Sequence, residues 1–200
     1  MIEKTALLIV DVQNDFCPGG ALAVKDGDQI IPVLNKYIRI FTATGLPVFC
    51  SRDWHPQQTS HFKKYGGTWP AHCVQNTPGA EFHPDLKIPE NTVILSKGMD
   101  EKLEGYSAFQ AQDNSGRMFD AILKLTEIKV LFVGGLATDY CVKSSALDAL
   151  EHGYQVNILT DAIKGVDLDP QDSQKALDAM RTKGSRFIDL EQTRKLFGNG

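Results

Sequence analysis

The feature that most constrains this chain is an alternation of two periods. Residues 6–10, 47–50, 92–95, 130–133 and 155–159 are short, almost uniformly apolar runs rich in β-branched side chains. Strands buried on both faces have this composition, because neither side of the pleat meets water. Between them lie segments of helical period. Residues 29–44 carry Ile30, Ile31, Val33, Leu34, Tyr37, Ile38 and Phe41 on one stripe and stop at Gly45. Residues 115–126, 139–151 and 170–183 read the same way, the last two stopping near Gly153 and at Gly184. Strand and helix in turn imply an α/β fold with a mostly parallel sheet covered on both faces, and Arg186–Ile188 supplies a sixth strand.

Composition narrows the reading further. With 200 residues, 42% of them hydrophobic, the chain has enough apolar surface for one cored domain spanning residues 1–200, and no compositional break divides it. A formal charge of −4 and a pI near 5.7, without a run of lysines or arginines, argue against nucleic acid as a partner. No apolar stretch approaches the roughly 20 residues of a membrane-crossing helix, and residues 1–4 lead into the first strand without the regions of a signal peptide. Cysteines 17, 50, 73 and 141 form no CxxC pair and no disulfide framework. The expectation is a cytoplasmic chain with reduced thiols and no membrane partner.

Two stretches break the alternation, residues 11–28 and 52–91, the second rich in Gly, Pro, His and Trp. Both begin at the carboxyl ends of strands, where open α/β sheets bind their ligands. Asp11 ends the first strand, Arg52-Asp53 the second and Ser96-Lys97 the third, while the fourth runs through a Gly134-Gly135 turn to Cys141 at the start of a helix. An acid, a cation and a thiol thus converge on one sheet edge. Asp11 can take the thiol proton, and the Lys97 ammonium with the helix N-terminus favours thiolate. A free thiol, with a pKa of about 8.5, needs such help at neutral pH. Taken singly, Asp11 is as readily a cap, Lys97 a solvated lysine and Cys141 a small buried residue; their meeting at three strand ends favours a catalytic set.

The loop after the second strand holds a different chemistry. Asp53, His55, His61 and His72 fall within it, and imidazole with carboxylate suits a divalent zinc, iron or manganese ion. Asp53 and His55 alternate, so an extended segment turns both to one side. The competing reading is a polar, solvent-facing loop. Cys73 is a weaker ligand candidate, and His83 and His152 stand outside the cluster.

Taken together, residues 8–22 (LIVDVQNDFCPGGAL), Asp53-Trp54-His55, residues 69–74 (WPAHCV), Lys97-Gly98 and residues 134–142 (GGLATDYCV) resemble the isochorismatase-like cysteine hydrolases and, within them, the nicotinamidases, also called pyrazinamidases. The resemblance spans the first strand to the last helix. It implies a three-layer, Rossmann-like α/β/α fold and hydrolysis of nicotinamide to nicotinate and ammonia through a cysteine thioester. Cys141 would attack the amide carbon, Asp11 would relay the proton and Lys97 would hold the charges. Backbone N–H groups of Ala137 and Cys141 would form the oxyanion hole, with a cis peptide at Leu136-Ala137. Asp53, His55, His61 and His72 match the family's metal ligands, with zinc first in expectation, and the metal would orient the pyridine nitrogen. Phe16, Trp69 and Tyr106 match its ring pocket, against the alternative of core packing. Tyr140, where several relatives carry His, is a departure.

Three other readings stay open at this level. A related amidase acting on a carbamoyl or ureido substrate would differ in metal content and in nicotinamide turnover. A catalytically silent metal-binding module would not react at Cys141. A redox sensor pairing Cys141 with Cys17 or Cys73 would form a disulfide under peroxide. A homo-oligomer is compatible with all of them.

Overall fold

The computed structural model describes residues 4–198. Its centre is a six-stranded sheet in the order β3-β2-β1-β4-β5-β6, with every neighbouring pair parallel. The strands are β1 (Thr5–Val10), β2 (Val48–Asp53), β3 (Val93–Lys97), β4 (Val130–Leu136), β5 (Gln155–Lys164) and β6 (Arg186–Ile188). All five apolar runs and the sixth strand are therefore present, and most extend further at their carboxyl ends than hydrophobicity alone marks.

The two faces of β1 show why its sequence is apolar throughout. Leu7 and Ile9 enter one core, which includes Leu34, Tyr37 and Phe41 of α1 (Ile31–Ala43). Ala6, Leu8 and Val10 enter the other. That second core is closed by Phe119 and Leu123 of α2 (Phe119–Leu125), Ala146 and Ala149 of α3 (Lys143–Glu151) and Met180 of α4 (Asp172–Thr182). A fifth helix, α5 (Leu190–Phe197), returns to the first face, where Phe197 lies 5.1 Å from Phe41 and 5.5 Å from Phe132. Among the described residues no helix is long and apolar enough to cross a membrane.

Three local expectations shift. The segment 115–126 becomes helical only from Phe119, because residues 113–117 are drawn into a turn by the Asp113 carboxylate, which accepts from the N–H groups of Ser115 and Arg117. Residues 170 and 171 likewise precede α4. The helix placed at 139–151 is a π-type turn, Thr138–Val142, continuing into α3, so Cys141 sits in that turn and not in the first turn of an α-helix.

The chain reverses its direction of winding between β1 and β4, and the crevice there is the usual ligand position of an open α/β sheet. Gly135 makes this seam possible. It pairs with Val10 at φ +125°, and a Cβ on it would lie 2.1 Å from the Val10 carbonyl oxygen. Gly135→Ala is expected to destabilise the fold by about 3 kcal/mol or more, combining a disfavoured backbone with an overpacked sheet seam. Urea unfolding of the variant checks this; wild-type stability would show that the seam can open.

Candidate active site

Asp11, immediately beyond β1, is fully buried with φ +49°, a conformation that a non-glycine residue keeps only when its surroundings enforce it. Its N–H donates to the Ser51 carbonyl at 3.1 Å, and its Oδ1 accepts from the Ser51 hydroxyl at 2.7 Å. Lys97, the last residue of β3, is 1% exposed. Its ammonium lies 2.8 Å from Asp11 Oδ2, also pairs with Asp53 Oδ1, and stands 3.4 Å from Cys141 Sγ. One oxygen each of Asp11 and Asp53 and the Cys141 sulfur lie within 4.8 Å of one another. The sheet edge has assembled the acid, cation and thiol.

Their charge states follow from burial set against pairing. Burial disfavours an ammonium, but Asp11, Asp53 and the nearby sulfur outweigh it and hold Lys97 well above its ordinary value. Burial raises Asp11, and Lys97 offsets only part of the rise. Asp53, despite the same burial, is held below the usual carboxylate range by Lys97, His55 and His72. Cys141 is pushed up: burial dominates, Asp11 and Asp53 add to it, and Lys97 pulls only partly the other way. Burial thus opposes the thiolate that Lys97 favours. The sulfur is a thiol until a base takes its proton, and Asp11, a carboxyl made more basic by burial, is beside it.

The histidine loop closes on the other oxygen of Asp53. Asp53 Oδ2 lies 3.6 Å from His55 Nε2 and 3.9 Å from His72 Nε2. His55, His61 and His72 are all buried, each with one ring nitrogen within 4.8 Å of the other two. The far nitrogens of two rings are occupied, His55 Nδ1 by the Gly98 carbonyl at 2.9 Å and His72 Nδ1 by the Pro70 carbonyl at 2.8 Å. Those bonds fix both tautomers with Nε2 as an acceptor. His55 Nε2 and His61 Nδ1 are buried without a hydrogen-bond partner. Burial and the neighbouring rings lower His61 to about 3, and burial likewise lowers His72. Neutral, orphaned imidazole nitrogens beside an ionised carboxylate fit a divalent cation. Cys73 is not in this set: its backbone N–H donates to Asp15 Oδ2 at 2.7 Å, and its thiol is pushed well up, chiefly by burial. His152 stacks on Phe109, away from the cluster.

Both groups open onto one small pocket, lined by Cys141, Asp53, His61 and His72, and walled by Phe16, Trp69, Tyr106 and Tyr140. The Trp69 indole N–H donates to the Tyr106 hydroxyl at 2.8 Å, and the Tyr140 ring stands edge-on to Trp69 at 5.0 Å. Ala137 also lines the pocket, and the Leu136-Ala137 peptide is cis. All eleven residues singled out from the sequence lie in or around this cleft. The aromatic walls can take a flat ring by stacking.

Several contributors were not singled out from sequence. The buried Gln13 side chain locks the Asp53 backbone, accepting from its N–H at 2.7 Å and donating to its carbonyl at 2.8 Å. Asp15 ties the β1 loop to the histidine loop through Cys73, and Leu22 and Val166 complete the pocket wall. Gln13 and Asp15 belong to the same Asp-Val-Gln-Asn-Asp run as Asp11, which was the available signal.

A family model described as the isochorismatase domain matches residues 5–192. The chain belongs to the isochorismatase family. Within that family it is 42% identical over 203 aligned residues to a nicotinamidase of Escherichia coli (strain K12), covering 92% of this chain and 94% of that protein. Among solved structures, a zinc complex of the Pyrococcus horikoshii pyrazinamidase superposes with a TM-score of 0.86 at 44% identity, over 94% of this chain and 99% of that one. The yeast nicotinamidase bound to the inhibitor nicotinaldehyde superposes with a TM-score of 0.83 at 25% identity, over 92% and 99% of the two chains. The isochorismatase-family sheet and its helical layers are thus shared along nearly the whole length.

Proposed function

We propose that this isochorismatase-family enzyme is a nicotinamidase, an amidohydrolase that converts nicotinamide to nicotinate and ammonia and accepts pyrazinamide by the same route. The observation that carries this reading is one aromatic pocket shared by the thiol of Cys141 and the imidazoles of His61 and His72. In this reading the ring lies between Phe16, Trp69 and Tyr106. Asp11 removes the proton as the Cys141 sulfur bonds to the amide carbon, and backbone N–H groups of Ala137 and Cys141 receive the developing oxyanion. The proton held by Asp11 passes to the departing ammonia, leaving a nicotinoyl thioester. Asp11 then takes a proton from water, which attacks the thioester and releases nicotinate with the thiol restored. Lys97 keeps the two carboxylates side by side throughout.

Asp53, His55, His61 and His72 would hold the divalent cation, for which we favour zinc. When bound, it supplies a Lewis-acid contact that orients the pyridine nitrogen. The chain functions as one domain, and nicotinate feeds pyridine nucleotide salvage. Its four unpaired thiols suit the reducing cytoplasm. His55→Ala is expected to lower bound metal at least tenfold and to raise KM more than it lowers kcat, read by elemental analysis and steady-state kinetics together. Full metal occupancy in that variant would remove His55 from the ligand set. Substrate class is tested by ammonia release from nicotinamide, pyrazinamide and an N-carbamoyl amino acid in parallel. Preference for the two aromatic amides supports the proposal; turnover of the carbamoyl compound alone would replace it with a carbamoyl amidase.

A further inference from the structure

Asp139 lies two residues before Cys141 in the π-type turn, is 3% exposed, and takes no part in the chemistry above. Its carboxylate grips two successive backbone groups: Oδ1 accepts from the Val166 N–H at 2.9 Å and Oδ2 from the Asp167 N–H at 2.8 Å. Those residues follow the end of β5, and Val166 lines the pocket that contains Cys141. The same segment is pinned from behind by α4. The Ser173 N–H donates to Asp167 Oδ1 at 2.8 Å, and Gly165 packs so closely that a Cβ there would sit 1.8 Å from Ser173 Oγ. One buried carboxylate therefore ties the turn carrying the sulfur to a wall of the ring pocket.

We propose that Asp139 is a positioning residue that fixes the Val166 wall relative to the Cys141 sulfur and thereby sets how tightly the aromatic ring of the substrate is held. The inference rests on the nicotinamidase reading. A carboxylate suits the task because each of its oxygens accepts. An asparagine offers one acceptor and turns its NH2 group against the second N–H. Displacement of the wall loosens the hold on the ring while leaving the sulfur and its proton acceptor in place, so the consequence falls on KM more than on kcat.

The test is steady-state kinetics of metal-loaded protein on nicotinamide, with thermal melting alongside. Asp139→Asn is expected to raise KM roughly tenfold with a smaller change in kcat. Val166→Ala should raise KM in the same direction, and the double variant should be little worse than the worse single one, since both changes remove the same wall. Gly165→Ala approaches the segment from its other side. It should raise KM without touching Asp139, while adding Ser173→Ala should restore KM towards the wild-type value. Unchanged KM in Gly165→Ala would show that the position of the Val166 wall does not set ring binding and would overturn the proposal even if Asp139→Asn fails to fold. Variants that lose only melting temperature and active fraction, with KM unchanged, would overturn the positioning role. Wild-type protein that releases no ammonia from nicotinamide would instead overturn the reading on which the inference rests.

Discussion

Cys141→Ala is expected to lower kcat on nicotinamide by about a million-fold, the scale on which removal of a covalent nucleophile acts, while leaving the ring pocket able to bind. The two effects would separate because, in the proposed mechanism, the sulfur bonds only to the amide carbon, whereas the ring would be held by Phe16, Trp69 and Tyr106, which line the pocket with His61 and His72. Ammonia release measures the first and calorimetric titration with nicotinamide the second. A variant retaining more than a trace of turnover would show that attack on the amide does not pass through this thiol. Because burial pushes the Cys141 thiol up, Asp11→Asn is a matched control: it leaves the sulfur in place and removes the proposed proton acceptor.

Lys97→Met is expected to cost about 3–5 kcal/mol of stability as well as activity. The ammonium is 1% exposed and lies between Asp11 and Asp53, so its removal leaves two buried carboxylates facing each other without a cation. The pH dependence has a definite sign. In the wild type Asp53 is held below its ordinary value, so its pairing contributes stability above the unfolded aspartate pKa, about 3.9, and that contribution fades as pH falls. In the variant both carboxyls are driven upwards, the protonated forms suit the fold, and stability falls as pH rises through the raised values. The gap between the two proteins should therefore be small near pH 4 and widen towards neutrality. Urea unfolding across that range measures it, and a gap that is absent or independent of pH would contradict the proposed charge arrangement.

Much of the fold was legible because parallel strands must be apolar on both faces. Ala6, Leu7, Leu8, Ile9 and Val10 point alternately into two cores and are all fully buried. What hydrophobicity could not mark are the carboxyl ends, where β4 continues through Gly134 and Gly135 at the seam with β1, and β5 through Thr160 and Asp161, polar residues that bond to neighbouring elements. The helix α5 was missed because its apolar stripe is sparse; its signal was the Asp189 capping box with Gln192.

The candidate site was legible for a related reason. A parallel sheet gathers the residues that follow its strands, so Asp11, Asp53, Lys97 and Cys141 could be brought together without any local clustering. The protonation of Cys141 was not legible, since it depends on how deeply the sulfur is buried. Nor were Gln13, Ser51 and Asp139, ordinary polar residues whose partners lie 27 to 67 positions away.

The most direct measurement of the central claim is the simultaneous release of nicotinate and ammonia from nicotinamide by the purified, metal-loaded protein. Equal amounts of the two products, with none from Cys141→Ala under the same conditions, are the expected result. No ammonia from the wild-type protein, or equal release from both proteins, would contradict a Cys141-dependent nicotinamidase.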